Sequence, residues 1–578
     1  MKLIEALEIA RRAGAAPIGK TVFLACGFTP LHLSAFLSAE LLLRNPTARP
    51  QIRSGVFGDL VGTLERFDPQ GIDALFVTIE WSDIDPRLGA RSLGGWRVPQ
   101  MDDIINSARD SLARLQRAIL KPSAQVPTVV CTPTLPLPPM FTALQTEESL
   151  SEAHLQLAVA TFAEQLLREP GIRIVNSQYL DDASPIAGRY DLKSDLSSGF
   201  PFTLDHASAL GKVLASLIDF PTRKKGLITD LDGTLWSGIL GDDGIDGISW
   251  DLERKAQMHG LYQQVLASLA SSGVLIGVAS KNDPAMVKSA FEKRKPLLTE
   301  NDIFPFEVHW SRKSDSVARI LKTWNIASDS VVFIDDSPME VAEVHAAFPD
   351  MECIVFPRTD HRAVWDLLKH LRGQFGKSAV TEEDVLRSDS IRSAQSWSEM
   401  ESAQSLDADN FLKSSEARIT FRSGKSASDG RAFELVNKTN QFNLNGKRFS
   451  EAEWRKLLDD PRAFLLTASY EDKFGPLGKI AVIIGRTVER QVQVNSWVMS
   501  CRAFSRRIEF QCLQHIFDIF KAEEIVFDYE MTARNSPVRE FLAALLSVPP
   551  VSGSCLTLED FSARVPQLFH VVEEEIHV

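Results

Sequence analysis

The chain has 578 residues, 44% of them hydrophobic, with 63 Lys+Arg against 76 Asp+Glu and a net charge of −13. That length predicts several domains with a large core, and the acidic balance argues against a general nucleic-acid binder, which would be basic. Cys26, Cys131, Cys353, Cys501, Cys512 and Cys555 form no CxxC pair; a structural zinc site has no support, and such sparse use fits a reducing compartment, so a cytoplasmic protein is expected.

The opening MKLIEALEIARRAGAAP has the spacing of a short amphipathic helix, with acidic residues and no apolar signal core. No run of about 18 or more apolar residues is present, so no membrane-spanning helix is expected. TVFLACG, ALFVTIEW, PTVVCTPT and IRIVNS are buried-strand candidates, and LHLSAFLSAELLLRN, ARDSLARLQRAIL and SEAHLQLAVATFAEQLLRE have helical spacing. This alternation predicts a mostly parallel sheet with helices on both faces. EWSDIDPRLGARSLGGWR, rich in Trp, Asp and Arg, reads as a structured loop.

A second α/β unit follows. GLITDLD, VLIGVAS and SVVFIDD are apolar runs ending in polar residues, separated by the helical QMHGLYQQVLASLASSG and SDSVARILKTWNI. Functional groups gather at the carboxyl ends of strands in open α/β sheets. From about 373 to 415 the chain turns polar and reads as a linking helical segment. An α+β pattern comes last, with RAFLLTASYED, GKIAVIIGRTV and RQVQVNSWVMSC as strands and SRRIEFQCLQHIFDIFKAE as a helix.

The middle unit concentrates the chemistry. Asp230 and Asp232 end one strand, Ser280 and Lys281 another, and Asp335 and Asp336 a third, while Lys313 opens a helix. Two carboxylates so close repel unless a cation lies between them, and Mg²⁺, a hard ion that prefers oxygen ligands, suits the set. Metal, hydroxyls and ammonium together neutralise phosphoryl oxygens. The intervals after Thr234 and after Asn282 are too short for a large cap domain; SGILGDDGIDGISW suggests only a small flap, leaving the site open to a bulky or protein-borne substrate.

In the last unit, Cys501, Arg502, Ser505, Arg506 and Arg507 cluster where the helix begins. Free backbone N–H groups and arginines there favour an anion such as a pyrophosphate or a phosphopantetheine phosphate, and the same field favours a thiolate at Cys501. Asn440, Gln441 and Asn443 either line a polar pocket or cap a turn.

The motifs Asp230–Leu231–Asp232–Gly233–Thr234, Ser280, Lys313 and Asp335–Asp336 resemble, in order, those of the haloacid dehalogenase superfamily. The resemblance implies that Asp230 is a nucleophile forming an aspartyl-phosphate and that Asp232 is the general acid and base, its carbonyl also on the metal. It implies that Thr234, Ser280 and Lys313 hold the phosphoryl group, and that Asp335 with Asp336 completes the Mg²⁺ shell. LWSGILGDDG, SKND, KTNQFN and SWVMSCR, over about residues 224–570, are similar in combination to the FkbH-like family found with polyketide synthases. Members typically have Asn and Gly where this chain has Gly233 and Ser237. That resemblance implies glyceryl transfer with phosphate release: 1,3-bisphosphoglycerate is dephosphorylated and its three-carbon unit is loaded as a thioester on an acyl carrier protein, with Cys501 the first candidate for an acyl intermediate and Arg502, Arg506 and Arg507 for holding the carrier's phosphopantetheine.

The C-terminal region also resembles GNAT-type acyltransferases, with Ser505 and Arg507 where glycines are common, and Asn535 in a late GNAT-like segment. The N-terminal region looks like an SGNH-hydrolase fold whose Gly-Asp-Ser is missing; Cys26 and Thr29 stand in that neighbourhood, and Thr203 replaces an Asp before His206. A degenerate domain for docking or substrate selection is expected, with His32 and His206 structural. The division expected is 1–222 SGNH-hydrolase-like, 223–374 Rossmann-like haloacid dehalogenase, 375–416 helical linker and 417–578 GNAT-like α+β. The alternatives are a phosphatase of a small phosphorylated metabolite and a non-enzymatic carrier-docking scaffold. Neither nucleic acid nor membrane is expected as a partner; a carrier would meet the basic surface at Lys293–Lys295 or the Arg502–Arg507 cluster.

Overall fold

The computed structural model describes residues 1–12, 16–169, 171–218, 223–377, 380, 384, 391, 408–425, 430–439, 441–473, 475–500, 503, 506–532 and 535–576. The chain divides into two compact units, one of Met1–Pro221 with Ser450–Arg455 and one of Thr222–Phe449 with Lys456–Val578.

In the first unit, β1 (Ile18–Cys26), β2 (Arg49–Ser54), β3 (Ala74–Thr78), β4 (Thr128–Cys131) and β5 (Ile172–Ile174) form a parallel sheet in the order β2-β1-β3-β4-β5. Alternate residues face opposite cores. Leu24, Phe76 and Val129 pack with helices Leu31–Arg44 and Leu204–Ser216, while Leu75, Val77 and Val130 pack with Met101–Ser123 and Leu150–Leu167. Burial on both faces is why β3 and β4 read as apolar runs. The opening segment is the helix Leu3–Arg12. The Trp-, Asp- and Arg-rich segment is ordered by Arg87, which reaches Asp85 and Asp103 at 2.7 Å each, and by the Trp96 indole donating to the Arg87 carbonyl at 2.9 Å.

The second unit opens with β6 (Gly226–Thr229), β7 (Leu275–Ser280), β8 (Ile303–Val308), β9 (Val331–Asp335) and β10 (Glu352–Val355), parallel in the order β10-β9-β6-β7-β8. β6 is central, so its carboxyl end meets those of β7 and β9. Gly226 allows a close approach: a Cβ there would lie 2.5 Å from the ring of Trp324, which is buried against the sheet. Neither 235–256 nor 281–302 holds a separate folded insertion. The first contains a short flap, in which Ser237 and Ser249 exchange backbone hydrogen bonds (2.8 and 3.0 Å) and the helix Leu240–Gly247 kinks at Gly244.

Later in the same unit, β11 (Arg418–Ser423), β12 (Phe442–Asn443), β13 (Ala463–Asp472), β14 (Gly475–Val488), β15 (Gln491–Met499), β16 (Glu524–Phe527), β17 (Ser554–Thr557) and β18 (Val571–Ile576) form a mixed sheet. Its order is β17-β16-β15-β14-β13-β11-β18, with β12 on β15. β15 and β16 run parallel because the helix Ile508–Phe520 crosses between them, and that helix and Ser536–Leu546 bury Leu513, Ile516 and Leu542 in its core. Of the expected linker at 375–416, Ala408–Ser414 is helical and most of the rest lies outside the described residues. Among the described residues no helix is long and apolar enough to cross a membrane.

Candidate active site

Asp230 directly follows β6, and its N–H donates to the Ile334 carbonyl at 3.0 Å, extending the pairing with β9. Its backbone is held from behind: the Tyr262 hydroxyl donates to Thr229 Oγ1 at 3.1 Å, and the Thr229 hydroxyl donates to the Asp230 carbonyl at 2.9 Å. Asp335 closes β9 in the next register, so one strand pairing delivers both carboxylates to the same point.

Lys313, the first residue of its helix, reaches into that point with 2% of its side chain exposed. Its Nζ lies 2.5 Å from Asp230 Oδ1, 2.9 Å from Asp335 Oδ2, 3.3 Å from Glu340 Oε2 and 2.7 Å from the Ala279 carbonyl. Glu340 also pairs with Lys281 at 2.8 Å. Arg358 pairs with Asp336 at 2.8 Å.

The charges do not balance. Burial opposes the Lys313 ammonium, yet Asp230, Asp335 and Glu340 hold its pKa above the ordinary lysine value. Burial raises Asp230 against the pull of Lys313, and burial with the Asp230 charge pushes Asp335 up to about 7. Burial raises Asp336 too, against Arg358. Oxygens of Asp230, Asp335 and Asp336 all lie within 4.8 Å of one another. An all-oxygen set whose anionic forms are this disfavoured fits a hard divalent cation.

A cleft of about 530 Å³ opens over this cluster, lined by Asp230, Asp232, Ser280, Lys281, Lys313 and Asp336, among others. The structure thus brings together Asp230, Asp232, Ser280, Lys313, Asp335 and Asp336. Thr234 stands apart: it is fully buried, does not line the cleft, and its hydroxyl has no partner among the described residues. The flank of the cleft explains Gly233, which sits at φ +68, where a Cβ would stand 2.5 Å from Asp336 Oδ2. Asn, the usual residue of the FkbH-like pattern, is among the few non-glycine residues that enter this left-handed region readily.

The chain shares its fold with the N-terminal part of the protein BF1531 from Bacteroides fragilis, a crystal structure containing a phosphatase domain complexed with Mg. The TM-score is 0.50 at 18% identity, over 66% of this chain and 100% of that one. A second solved chain aligns at a TM-score of 0.22 and 12% identity, too distant to inform the fold. No family model and no curated protein matches the sequence.

Residues missed in the sequence surround Asp232. Its Oδ1 accepts from the Trp236 indole at 2.8 Å and its Oδ2 from the Asn282 amide at 2.9 Å. Trp236 lies inside the quoted LWSGILGDDG and Asn282 inside SKND, but a motif string does not say which atom a side chain meets. The roles of Glu340 and Arg358 carried no signal, because the folding of other elements brings them to Lys313 and Asp336.

In the mixed-sheet region, Cys501, Arg502 and Ser505 lie outside the described residues. Arg506 is 3% exposed, 3.6 Å from Asp472 and over the Tyr470 ring at 5.5 Å. Arg507 donates to the Gln567 carbonyl at 2.8 Å and to Asp409 at 2.5 Å. Both guanidiniums contact the protein's own groups. Asn443 is buried and accepts from the Gly446 N–H at 2.8 Å, the Gln441 amide donates to Asn325 at 2.8 Å, and Asn440 lies outside the described residues. Of the two readings, Asn443 follows the capped turn. Asn535 is buried, bonding to the Asn443 carbonyl at 3.1 Å. Arg294, beside Lys293 and Lys295, stacks over Trp250 at 5.4 Å.

In the first unit, Cys26 is buried, donates to the Phe28 carbonyl at 3.2 Å and has a pKa well above the ordinary thiol value because of burial. Thr29 donates to the Ser198 carbonyl at 2.8 Å, and His32 packs edge-on against Phe200. Both His206 nitrogens are engaged at 3.0 Å, by the Thr134 and Ser184 hydroxyls. Burial, with Arg189 nearby, lowers the His206 pKa to about 3. These contacts agree with structural roles for both histidines.

Proposed function

We propose that the chain is a Mg²⁺-dependent phosphatase of haloacid dehalogenase type, with Asp230 as nucleophile. The observation that carries this reading is the Asp230–Asp335–Asp336 cluster around the buried Lys313 ammonium, at the carboxyl ends of adjacent parallel strands. The fold neighbour with a phosphatase domain and bound Mg supports it.

In the proposed reaction an Asp230 oxygen attacks phosphorus while the bond to the leaving oxygen breaks. Asp232, protonated, gives its proton to that oxygen. Water then attacks phosphorus and gives its proton to Asp232, the bond to Asp230 breaks, and phosphate and the free carboxylate are restored. Lys313 and Ser280 hold the phosphoryl oxygens, with Lys313 giving up part of its contact with Asp230 as they arrive. Asp230, Asp335 and Asp336, with the Asp232 carbonyl, would hold Mg²⁺, whose charge when bound offsets that of the carboxylates and the phosphoryl group.

The fuller activity we propose is glyceryl transfer. The substrate is 1,3-bisphosphoglycerate or a similar acyl phosphate: a thiolate attacks its acyl carbon and the C–O bond to the acyl phosphate breaks, releasing phosphate, while Asp230 takes the other phosphate, the ester; the product is a three-carbon thioester on the phosphopantetheine arm of an acyl carrier protein serving polyketide biosynthesis. The FkbH-like motifs support this, as does a cleft without a cap domain. Cys501 is the proposed acyl carrier within the chain, in a GNAT-like region; the SGNH-like region is proposed to select or dock a partner in the cytoplasm.

The test mixes the protein with 1,3-bisphosphoglycerate, Mg²⁺ and a holo carrier protein and reads both proteins by intact mass spectrometry. A glyceryl adduct on the carrier, absent in Asp230→Asn, is expected. Phosphate release without any adduct leaves the plain phosphatase. A chain that neither turns over nor loads under Mg²⁺ sinks both readings.

A further inference from the structure

Asp232 is gripped from three directions. Its Oδ1 accepts from the Trp236 indole N–H at 2.8 Å and from the Leu240 backbone N–H at 3.1 Å; its Oδ2 accepts from the Asn282 amide at 2.9 Å. Trp236 belongs to the turn after the first motif, Leu240 opens the flap helix and Asn282 follows β7. Asn282 is 3% exposed and its amide also lies 3.3 Å from Ser280 Oγ. Trp236 is 1% exposed and set edge-on to Phe291 at 5.8 Å. The flap is itself tied down where Arg294 donates to the Ile245 carbonyl at 3.1 Å.

We infer that Asn282 and Trp236 are positioning residues for Asp232, and that the flap, through Leu240 N–H, completes the same clamp. This rests on the phosphatase reading, in which Asp232 moves the proton. A carboxylate that protonates a leaving oxygen must present one oxygen within about 2.6–3.2 Å of it, and rotation about its last side-chain bond would lose that alignment. With two donors Oδ1 is committed to the protein. Oδ2, with one donor, keeps an acceptor position free on a residue that lines the cleft, and is the oxygen assigned to exchange the proton. The flap therefore acts on the acid as well as bordering the site.

The discriminating variable is how much help the leaving group needs. p-Nitrophenolate leaves readily without a proton, whereas an alkoxide does not. Asn282→Ala and Trp236→Phe, the second of which keeps a ring on Phe291, are compared with wild type in Mg²⁺ by rapid quench, using p-nitrophenyl phosphate and ethyl phosphate. The first-turnover rate is expected to fall about 10²-fold on ethyl phosphate and to change little on p-nitrophenyl phosphate. The aryl ester should instead give a burst of nitrophenol followed by slow turnover, because water activation by Asp232 is then limiting. Equal losses on both esters, in either variant that retains a cooperative melt, overturn the inference and leave the phosphatase reading intact. No turnover of either ester by wild type overturns that reading and the inference with it.

Discussion

The Lys313 ammonium stands 2.5 Å from the Asp230 carboxylate and 2.9 Å from that of Asp335, with almost no exposure to water. It is the cation that lets two buried carboxylates share one point. Removing one partner of a buried pair leaves the other charge uncompensated, at about 3–5 kcal/mol. Lys313→Met should therefore melt well below wild type in metal-free buffer, read by calorimetry. A melting temperature equal to wild type would show that these carboxylates do not depend on Lys313.

Mg²⁺ should raise the melting temperature of wild type, since a ligand of the folded state stabilises by about 2.7 kcal/mol at 100 times its Kd. Asp335→Asn, which removes one charge of the cluster, should lose most of that response while staying folded. The metal dependence of the melt is measured with and without chelator; an undiminished response in Asp335→Asn places the ion elsewhere.

Gly233 at φ +68 allows a sharp comparison. Gly233→Asn should keep the fold and phosphate release, because Asn enters the left-handed region and only the flexible end of Asp336 must yield. Gly233→Val should cost about 1–2 kcal/mol more in backbone strain and displace Asp336. Melting and phosphate release are compared for both, and equal behaviour would mean that this turn is not held in the left-handed region.

A pH signature is expected from the first unit. His206 is held near 3, below its unfolded value of 6.5, so its contribution is fully present above 6.5 and is lost as pH falls towards 3, where the unfolded chain takes a proton that the folded one refuses. Glu80, pushed up to about 8 by burial, works in the opposite sense: the folded state keeps a proton that the unfolded one releases, so stability is lost as pH rises from 4.5 through 8. His206→Gln should flatten the acid limb of stability against pH, and Glu80→Gln the alkaline limb. Unfolding curves between pH 4 and 9 measure both, and limbs unchanged by either substitution would remove these two groups from the account.

The strands β1, β3–β7 and β9 were legible because burial writes apolar runs, and the β13–β15 strands because they are long; the edge strands β2, β8 and β10 were not, because they are only partly buried and carry no such run. The four motifs were legible because each follows directly from a strand end or a helix start. The burial of Thr234 was not legible: its position in the motif is visible, but the turn that buries its hydroxyl is a matter of packing. The pair Arg506 and Arg507 was visible because two arginines at a helix start are local, whereas their partners Asp472 and Asp409 were not, being distant in the chain.

By itself, then, the sequence determined the strand–helix alternation, the carboxylates at strand ends and the short intervals that leave no cap domain, all of which depend on residues near one another in the chain. Tertiary structure alone decided that Asp230 and Asp335 converge on Lys313, that Glu340 and Arg358 neutralise the rim, and that Asn282 and Trp236 clamp Asp232. Those contacts follow from strand order and parallel register, which place residues far apart in sequence within hydrogen-bond distance, and no local pattern of residues encodes that order.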